Sequence, residues 1–527
     1  MPATWHSLTH GTNGLVLAYG LTFFALVITL VQQRAGARAI LLSPLLTLPC
    51  AAVGALAVVV AVSLTGSHAT PRISWMSPAL SIAILLFAGF AGGMIFARRP
   101  KSTDTHKRGT VVGTAKRREP TRVGAVTLAG VEIPELDETK HFKLLGTTGS
   151  GKSTAIREVL SGALQRGDRA IIADPDGSYL KHFYTHTRGD VILNPFEERS
   201  YRWDLFGEIE KPYDVEQVAR SLISEGADDA SREWRAYART FLAAVLEYCK
   251  LEDRHDLAEV WRLISVADAE ELKDILAGSA AQPFLADGAS KMFHSIRGTA
   301  SPALAALKYV KKASAPPLSV RQWVREGRGV LFLPYTAGQI AALRDLIATW
   351  LRLAIFETMS GGEGDRRLWF IIDELDALGQ IDGLKDALAR LRKFGGRCVL
   401  GFQSIAQVRG TYGDTEAQTI VENCGNTLIL RCSASERGGT AEFASRLIGK
   451  REIIRRQVSE SRPPGFGGAA KRTETTSDHH VTEDAVMASE IEQLPDLAGF
   501  LKVASRPEWR RITIASRRIA GAAGGRG

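Results

Sequence analysis

The sequence predicts an α/β fold in which a doubly wound parallel sheet carries an all-helical insertion and follows an apolar helical region. Three observations lead to it. Short apolar runs alternate with helical patterns through most of residues 125–515, which is typical of a parallel sheet covered by helices. Residues 196–315 show helical patterns without strand alternation. Residues 1–97 contain three long runs without charge in their interiors.

The predicted strands of the sheet are short, continuous apolar runs, because parallel strands are buried on both faces. Helical patterns separate them, for example over Gln339–Met359 and Ile381–Phe394. The strands are predicted at Phe142–Leu145, Arg169–Ala173, Asp190–Leu193, Val330–Pro334, Arg367–Ile372, Arg397–Phe402 and Asn426–Arg431.

A glycine-rich loop follows the first strand and leads into a helix that runs to about Gln165. Its glycines allow positive φ and close backbone approach, so successive N–H groups can surround phosphate oxygens. Lys152 would place its charge between the β- and γ-phosphates, and Ser153 would offer its hydroxyl to Mg²⁺. A purely structural turn would not need this strand-and-helix context. The pattern therefore predicts an ATP site lined by Gly146, Thr147, Thr148, Gly149, Ser150, Gly151, Lys152, Ser153 and Thr154.

Two adjacent acids, Asp373 and Glu374, end the apolar run that begins at Arg367. At the carboxyl end of a parallel strand they would face the bound nucleotide. Asp373 is expected to hold Mg²⁺, and Glu374 to orient or deprotonate an attacking water. Alone, two acids after a strand are also typical of a solvated turn. Together with the phosphate loop, they predict a hydrolase.

Two further residues are candidates with open alternatives. Gln403 directly follows a predicted strand, where it would contact the γ-phosphate, but spacing alone fits a surface glutamine equally well. Arg392 lies near a helix end before Gly395 and Gly396. It could reach the γ-phosphate of a neighbouring subunit, or it could simply complement the helix dipole, and spacing alone favours the second interpretation.

The apolar N-terminal region predicts a membrane anchor over residues 1–97, with candidate spans at 15–31, 40–64 and 80–97. The first short loop contains Arg34 and Arg38, and the third run is followed by Arg98 and Arg99. Since basic loops stay inside, everything after Arg98 is predicted to be cytoplasmic. In a two-span alternative, one run is interfacial or re-entrant, and the downstream region is still cytoplasmic.

The remaining segments are predicted by composition. Residues 98–124 form a basic linker, which suits anionic lipid headgroups or, alternatively, nucleic acid. Trp234 of the insertion is a candidate for stacking on a DNA base, although a buried tryptophan is at least as probable from sequence alone. Residues 462–482 are expected to be a mobile loop and 516–527 a flexible tail. The five cysteines form no C-x-x-C pair, and the formal net charge is +9.

The chain resembles the coupling proteins of type IV secretion systems, of the TrwB/TraD type. The matching stretches extend over nearly all of residues 125–515. They are the phosphate loop from His141 to Ser153, Arg166–Arg169, Asp174–Gly177, Ile192–Pro195, Arg366–Leu375, Arg392-Lys393, Gly401–Ser404, Ala417–Thr419 and Leu494–Leu497.

This resemblance implies a RecA-like nucleotide-binding domain over 125–195 and 316–515, with the all-α domain at 196–315. It implies a DNA-stimulated ATPase that assembles as a hexamer in the bacterial inner membrane, recruits relaxase-bound DNA and pumps single-stranded DNA into the secretion channel. Arg392 falls on the family's inter-subunit arginine and Gln403 on its γ-phosphate sensor. Trp234 aligns with a tryptophan near the channel mouth. Channel components of the inner membrane and membrane lipid are further implied partners.

Other functions remain open on the sequence. The same motor could deliver protein effectors instead of DNA, or the protein could be a nucleotide-gated docking platform. A cell-division-type DNA pump is less favoured, because no long linker or terminal sequence-reading domain is visible. Family members usually have two membrane spans, so three apolar runs are a departure from the family pattern.

Overall fold

The structure is a computed structural model that describes residues 12–32, 40–64, 76–96, 105–115, 122–225, 229–312, 316–362, 366–435, 439–461 and 473–515. The chain divides into two compact units. One comprises Met1–Thr105 with Ile454–His479, and the other comprises His106–Ile453 with His480–Gly527.

The first unit contains three helices that carry no charged residue. Leu15–Gln32 and Ser43–Ala61 are long and apolar enough to cross a membrane, whereas the apolar stretch Ala79–Ile95 is shorter. The first two helices fit a transmembrane region, and all three overlap the predicted spans. Their bounds are α1 (Thr12–Gln32), α2 (Ser43–Leu64) and α3 (Met76–Phe96).

Small residues allow close packing between α1 and α3. A Cβ atom added to Gly89 would lie 2.4 Å from the carbonyl oxygen of Thr22, and one added to Gly93 would lie 2.5 Å from Cβ of Thr29. Glycines let helix backbones approach where a bulkier side chain would separate them. The glycines of the third apolar run therefore act as packing surfaces.

Within the part of the chain that the structure describes, the strands form one large sheet and three small ones. The large sheet has the order β2-β17-β16-β13-β5-β12-β11-β6-β10-β7, and the small sheets are β1-β14-β15, β3-β4 and β8-β9. The strands are β1 (Thr105–Gly109), β2 (Val112–Thr114), β3 (Thr127–Leu128), β4 (Val131–Glu132), β5 (Phe142–Leu145), β6 (Arg169–Pro175), β7 (Val191–Ile192), β8 (Arg202–Trp203), β9 (Pro317–Leu318), β10 (Val330–Tyr335), β11 (Leu368–Ile372), β12 (Gly396–Phe402), β13 (Asn426–Ile429), β14 (Lys450–Ser461), β15 (Thr473–Asp484), β16 (Ala498–Lys502) and β17 (Trp509–Thr513).

The centre of the large sheet, from β13 to β7, is parallel, as predicted. Strand β12 lies between β5 and β11, and Phe402 is in register with Leu145. The residues that follow these two strands, Gly146 and Gln403, therefore emerge side by side. Antiparallel pairing occurs toward one edge, between β13 and β16 and between β16 and β17.

Alternate residues of the central strands enter two separate hydrophobic cores. In β6, Ile171 and Ala173 belong to one core, and Ala170 and Ile172 belong to the other. This follows from the period of two along a strand. Because both faces are buried, each strand is a continuous apolar run rather than an alternating one. Helices cover both faces, so the fold has three layers.

The helices of the second unit include a group, α7 to α11, that lies within the predicted insertion. The predicted domain boundaries at 195/196 and 315/316 stay predictions. The helices are α4 (Glu135–Glu138), α5 (Lys152–Gln165), α6 (Ser178–Phe183), α7 (Asp214–Leu222), α8 (Asp229–Leu251), α9 (Leu257–Ser265), α10 (Ala269–Ile275), α11 (Ser290–Leu304), α12 (Val320–Glu326), α13 (Ile340–Ser360), α14 (Leu384–Arg390), α15 (Ile405–Glu422), α16 (Gly439–Ile448) and α17 (Ala488–Glu492).

The chain leaves and rejoins the sheet domain at adjacent points, since β8 and β9 pair in parallel on either side of α7 to α11. The buried carboxylate of Glu208 fastens this junction. It accepts hydrogen bonds from Trp203 Nε1 (2.9 Å), the backbone nitrogen atoms of Val320 (2.7 Å) and Arg321 (3.0 Å), and Ser319 Oγ (3.0 Å). One acid thus joins the strand before the insertion to the helix after it.

Two segments that were predicted to be irregular contain strands in part. Residues 473–482 of the expected mobile loop 462–482 belong to β15, and residues 462–472 lie outside the described residues. Threonine recurs in this stretch and Val481 follows, and these β-branched residues suit a strand. Strands β1 and β2 occur within the predicted linker 98–124. The predicted tail 516–527 also lies outside the described residues.

Candidate nucleotide-binding site

The candidate site lies at the carboxyl edge of the parallel strands. The phosphate loop follows β5, Asp373 and Glu374 follow β11, and Gln403 follows β12. Parallel strands bring their carboxyl ends to one edge, where ligands of open α/β sheets bind. The register of the sheet therefore gathers these predicted residues in one place.

The backbone of the phosphate loop depends on glycine. Gly149 has φ 78° and Gly151 has φ 115°, conformations that residues with a Cβ atom rarely adopt. A Cβ atom at Gly151 would also lie 2.8 Å from Leu497. The loop is fixed by hydrogen bonds from the nitrogen of Thr147 to the carbonyl of Arg431 (2.8 Å) and from Leu497 to the carbonyl of Ser150 (2.9 Å). The shape of the loop is thus stabilised by the backbone of the protein itself.

Lys152 opens helix α5, and its side chain is buried within the loop. Its Nζ donates to the carbonyl oxygen of Gly146 at 2.5 Å. Burial lowers the pKa of Lys152, and the nearby carboxylates of Asp373 and Glu374 oppose that shift. An ammonium group held among backbone N–H groups at a helix N-terminus is suited to binding phosphate oxygens.

The carboxylate of Asp373 is buried and asymmetrically bonded. Its Oδ2 accepts from Ser153 Oγ (2.6 Å) and from the hydroxyl of Tyr179 (2.8 Å). Its Oδ1 is buried and has no hydrogen-bond partner among the described residues. Buried carboxylate oxygens are costly without a partner. An unpaired oxygen beside a serine hydroxyl fits a hard cation such as Mg²⁺, which takes oxygen ligands.

Glu374 is linked to the phosphate loop through Gln403. The side-chain nitrogen of Gln403 donates to Glu374 Oε1 (2.6 Å), and its oxygen accepts from Thr148 Oγ1 (3.2 Å). Burial and the neighbouring charge of Asp373 raise the pKa of Glu374. A carboxylate with a raised pKa is a better proton acceptor, and Gln403 fixes its direction.

Arg392 is not brought to this edge. It is exposed and lies in a short 3-10 helix, Leu391–Phe394, which precedes β12. Gln403 follows the other end of β12, so the strand separates the two side chains by roughly 20 Å at ~3.3 Å per residue. Arg392 therefore cannot act on the phosphate loop of its own subunit without a large rearrangement.

Trp234 lies apart from this site, on α8. Its side chain is 37% exposed, and its ring contacts Tyr237 edge-on with centroids 5.9 Å apart. The side chain is therefore only partly buried, and the stacking role of Trp234 stays a prediction. The ring retains a surface on which a base could stack.

Sequence reasoning missed Tyr179 and the role of Asp174. Asp174 is buried at the end of β6, and its two oxygens accept from the backbone nitrogen atoms of Tyr179 (2.9 Å) and Leu180 (2.7 Å). Burial raises the pKa of Asp174 to about 6. Two acids, Asp174 and Asp176, directly follow the predicted strand Arg169–Ala173 and were a visible signal, but the reach of a tyrosine to Asp373 depends on tertiary packing.

Comparison with known proteins identifies the family. The model of the type IV secretion-system coupling protein DNA-binding domain matches residues 125–515. The chain is 30% identical over 384 residues to coupling protein TraD of Escherichia coli (strain K12), covering 71% of this chain and 52% of TraD. It is 22% identical over 388 residues to a conjugal transfer protein TraG of Escherichia coli, covering 63% of this chain and 59% of that protein. The chain thus spans between half and three-fifths of the length of these relatives.

Solved structures of the plasmid coupling protein TrwB indicate the same family. The plasmid coupling protein TrwB in complex with the non-hydrolysable ATP analogue ADPNP has a TM-score of 0.71 at 30% identity, covering 81% of this chain and 98% of that chain. TrwB in complex with ADP and Mg²⁺ also has a TM-score of 0.71 at 30% identity, covering 80% and 97%. The predicted RecA-like fold with its all-α insertion is thereby confirmed. The chain belongs to the family of type IV secretion-system coupling proteins.

Proposed function

We propose that this protein is a membrane-anchored ATPase that recruits relaxase-bound DNA and pumps single-stranded DNA into a type IV secretion channel during conjugation. One observation carries the enzymatic part. Lys152, Asp373 and Glu374 converge at one sheet edge, with Ser153 already bonded to Asp373. An ammonium, a metal-type carboxylate and a second carboxylate are the groups that ATP hydrolysis requires.

ATP with Mg²⁺ is the ligand that this edge fits best. The backbone of Gly146–Ser153 and Lys152 would hold the phosphates, and Ser153 and Asp373 would hold Mg²⁺. When bound, Mg²⁺ neutralises charge on the phosphate oxygens. Solved structures of the relative TrwB with ADPNP and with ADP and Mg²⁺ support this proposal.

Glu374 would act as the base for hydrolysis. Its carboxylate would orient the attacking water and accept its proton, and the hydrogen bond from Gln403 would set the direction of that carboxylate. Gln403 also contacts Thr148 of the phosphate loop, so a γ-phosphate held by the loop would lie near the Gln403 side chain. This supports a sensor role for Gln403.

The position of Arg392 supports assembly of the subunits into a ring. A charge that is exposed at the amino end of β12 can reach only the phosphate loop of another subunit when subunits pack edge to edge. Such an arginine stabilises the transferred charge in the transition state and makes hydrolysis depend on assembly. We therefore propose a homohexamer in which each ATP site is completed by Arg392 of a neighbour.

DNA is the proposed cargo. The matching family model is described as a DNA-binding domain, and the relatives TraD and TrwB are coupling proteins. The net charge of +9 is compatible with a phosphate backbone, and Trp234 offers an exposed ring for base stacking. Delivery of protein effectors is the competing function, and the ATPase experiment below distinguishes it from DNA transport.

Anchoring in the bacterial inner membrane is proposed from α1, α2 and α3. Basic residues follow the first and third apolar runs, and basic loops stay in the cytoplasm. A multi-pass anchor of this kind leaves the ATP site in the cytosol, next to the inner-membrane components of the channel and in contact with membrane lipid.

The test is the ATPase rate of the full-length protein in detergent, with and without single-stranded DNA. We expect stimulation in the wild type and no hydrolysis in Lys152→Ala. Trp234→Ala should lower the stimulation and leave the DNA-free rate unchanged. An assembled wild-type oligomer that binds ATP but is not stimulated by DNA would refute DNA pumping. Stimulation by a protein carrying a secretion signal would then indicate effector delivery.

A further inference from the structure

The side chain of Tyr179, which belongs to none of the predicted motifs, contacts the Asp373 carboxylate. It is fully buried on α6, and its hydroxyl donates to Asp373 Oδ2 at 2.8 Å. Ser153 Oγ donates to the same oxygen at 2.6 Å. Two donors on one oxygen prevent rotation of the carboxylate and direct its unpaired Oδ1 away from both.

Tyr179 is itself held from two directions. The carboxylate of Asp174 binds the backbone nitrogen atoms of Tyr179 and Leu180, which fixes the first turn of α6. The guanidinium carbon of Arg157, on the helix that follows the phosphate loop, lies 5.7 Å from the centroid of the Tyr179 ring. The phenol therefore has one position, set jointly by β6 and α5.

We propose that Tyr179 is a positioning residue that orients the Asp373 carboxylate for binding Mg²⁺. This inference rests on the proposed nucleotide-dependent function and assigns a further residue to the same site. Ser153 must serve two roles, since its hydroxyl proton binds Asp373 and its lone pairs would face the metal. The Tyr179 hydroxyl is not among the proposed metal ligands, so it can keep its proton on Oδ2 while the lone pairs of Ser153 face the metal.

The competing interpretation is that Tyr179 only fills the core, because its ring belongs to the hydrophobic cluster beneath the sheet. Tyr179→Phe separates the two, since it keeps the ring and removes the hydroxyl. Tyr335→Phe is a matched control. Tyr335 ends β10, is 5% exposed, and its buried hydroxyl has no hydrogen-bond partner among the described residues.

The experiment measures Mn²⁺ binding to the full-length protein in the presence of ADP by electron paramagnetic resonance. The affinity for ADP in EDTA and the thermal unfolding temperature are measured alongside. Residues that orient metal ligands typically change metal affinity by about 10- to 100-fold. We expect Tyr179→Phe to raise the Mn²⁺ dissociation constant about 10-fold, with metal-free ADP affinity within about twofold of wild type. Tyr335→Phe should match the wild type.

The outcomes are distinct. A Mn²⁺ dissociation constant for Tyr179→Phe within about twofold of wild type would overturn the inference. Equal losses of metal-free ADP binding and metal binding would also overturn it, because they indicate a structural role. A thermal unfolding temperature of Tyr179→Phe well below that of wild type would also overturn the inference, since the hydroxyl would then stabilise the core. If the wild-type protein binds no Mn²⁺ with ADP, the proposed function itself fails.

Discussion

The acid sensitivity of the fold should depend on His141, which directly precedes the strand of the phosphate loop. The ring is buried and bonded at both nitrogen atoms: Nε2 lies 2.9 Å from the carbonyl oxygen of Leu388, and Nδ1 lies 3.1 Å from the backbone nitrogen of Cys398. The second contact requires Nδ1 to accept, so the ring is neutral with its proton on Nε2. Burial, together with the charge of Arg397, lowers the pKa of His141 from 6.5 to about 4.

The direction and size of the pH effect on stability follow from the difference between the pKa values of His141 in the folded and unfolded states. A lowered pKa means that the unfolded chain takes up a proton at a higher pH than the folded protein. The stabilisation is therefore complete above pH 6.5 and is lost as the pH falls toward 4. The full difference is about 3 kcal/mol, of which about 2 kcal/mol falls between pH 7 and pH 5.

The assay is urea unfolding of the full-length protein in detergent at pH 7 and pH 5, followed by tryptophan fluorescence. His141→Gln keeps a donor toward Leu388 and does not titrate, so its loss of stability between the two pH values should be smaller than that of wild type by about 2 kcal/mol. His186→Gln, at an exposed position, should retain the wild-type loss. Identical losses in wild type and His141→Gln would refute the reasoning.

The remaining predictions concern two carboxylates, Glu208 and Glu374. Glu208→Gln should lower the free energy of unfolding by about 2–3 kcal/mol, because an amide nitrogen would face two of the four donors that the carboxylate now binds. Glu210→Gln, which removes a half-exposed partner of Arg325, should cost less than about 1 kcal/mol, and urea unfolding compares the two. For Glu374, a raised pKa in the free protein predicts that the acidic limb of the kcat/KM–pH profile lies above the ordinary glutamate value of 4.5. An acidic limb at or below 4.5 in the wild type would contradict the assignment of Glu374 as the base. Glu374→Gln should bind ATP with wild-type affinity yet hydrolyse it at least about 100-fold more slowly.

The core of the candidate site could be predicted because it is encoded locally. The phosphate loop is contiguous in sequence, and its glycines are needed by its own backbone angles. Asp373 and Glu374 end a continuous apolar strand, which is recognisable without knowing its neighbours. The position of β12 between β5 and β11 then brings Gln403 to the same edge.

What the sequence could not predict depends on distant pairing. Strand β16 pairs antiparallel with β13, β17 pairs antiparallel with β16, and β2 joins β17 from a segment predicted to be linker. The pairings of β16 with β13 and of β2 with β17 are decided by contacts between residues far apart in the chain. Tyr179 was missed for the same reason, since a short helix after an acidic turn gives no indication that its phenol reaches Asp373.

The most direct test of the account is whether one ATP site needs two subunits. Lys152→Ala and Arg392→Ala should each abolish hydrolysis alone. When the two variants are co-expressed and purified as mixed oligomers, roughly a quarter of the interfaces should combine an intact phosphate loop with an intact arginine. We expect activity to return to about that fraction of wild type, and Arg390→Ala, at the end of α14, to remain active alone. Mixed oligomers that stay inactive, or an active Arg392→Ala protein, would contradict the account.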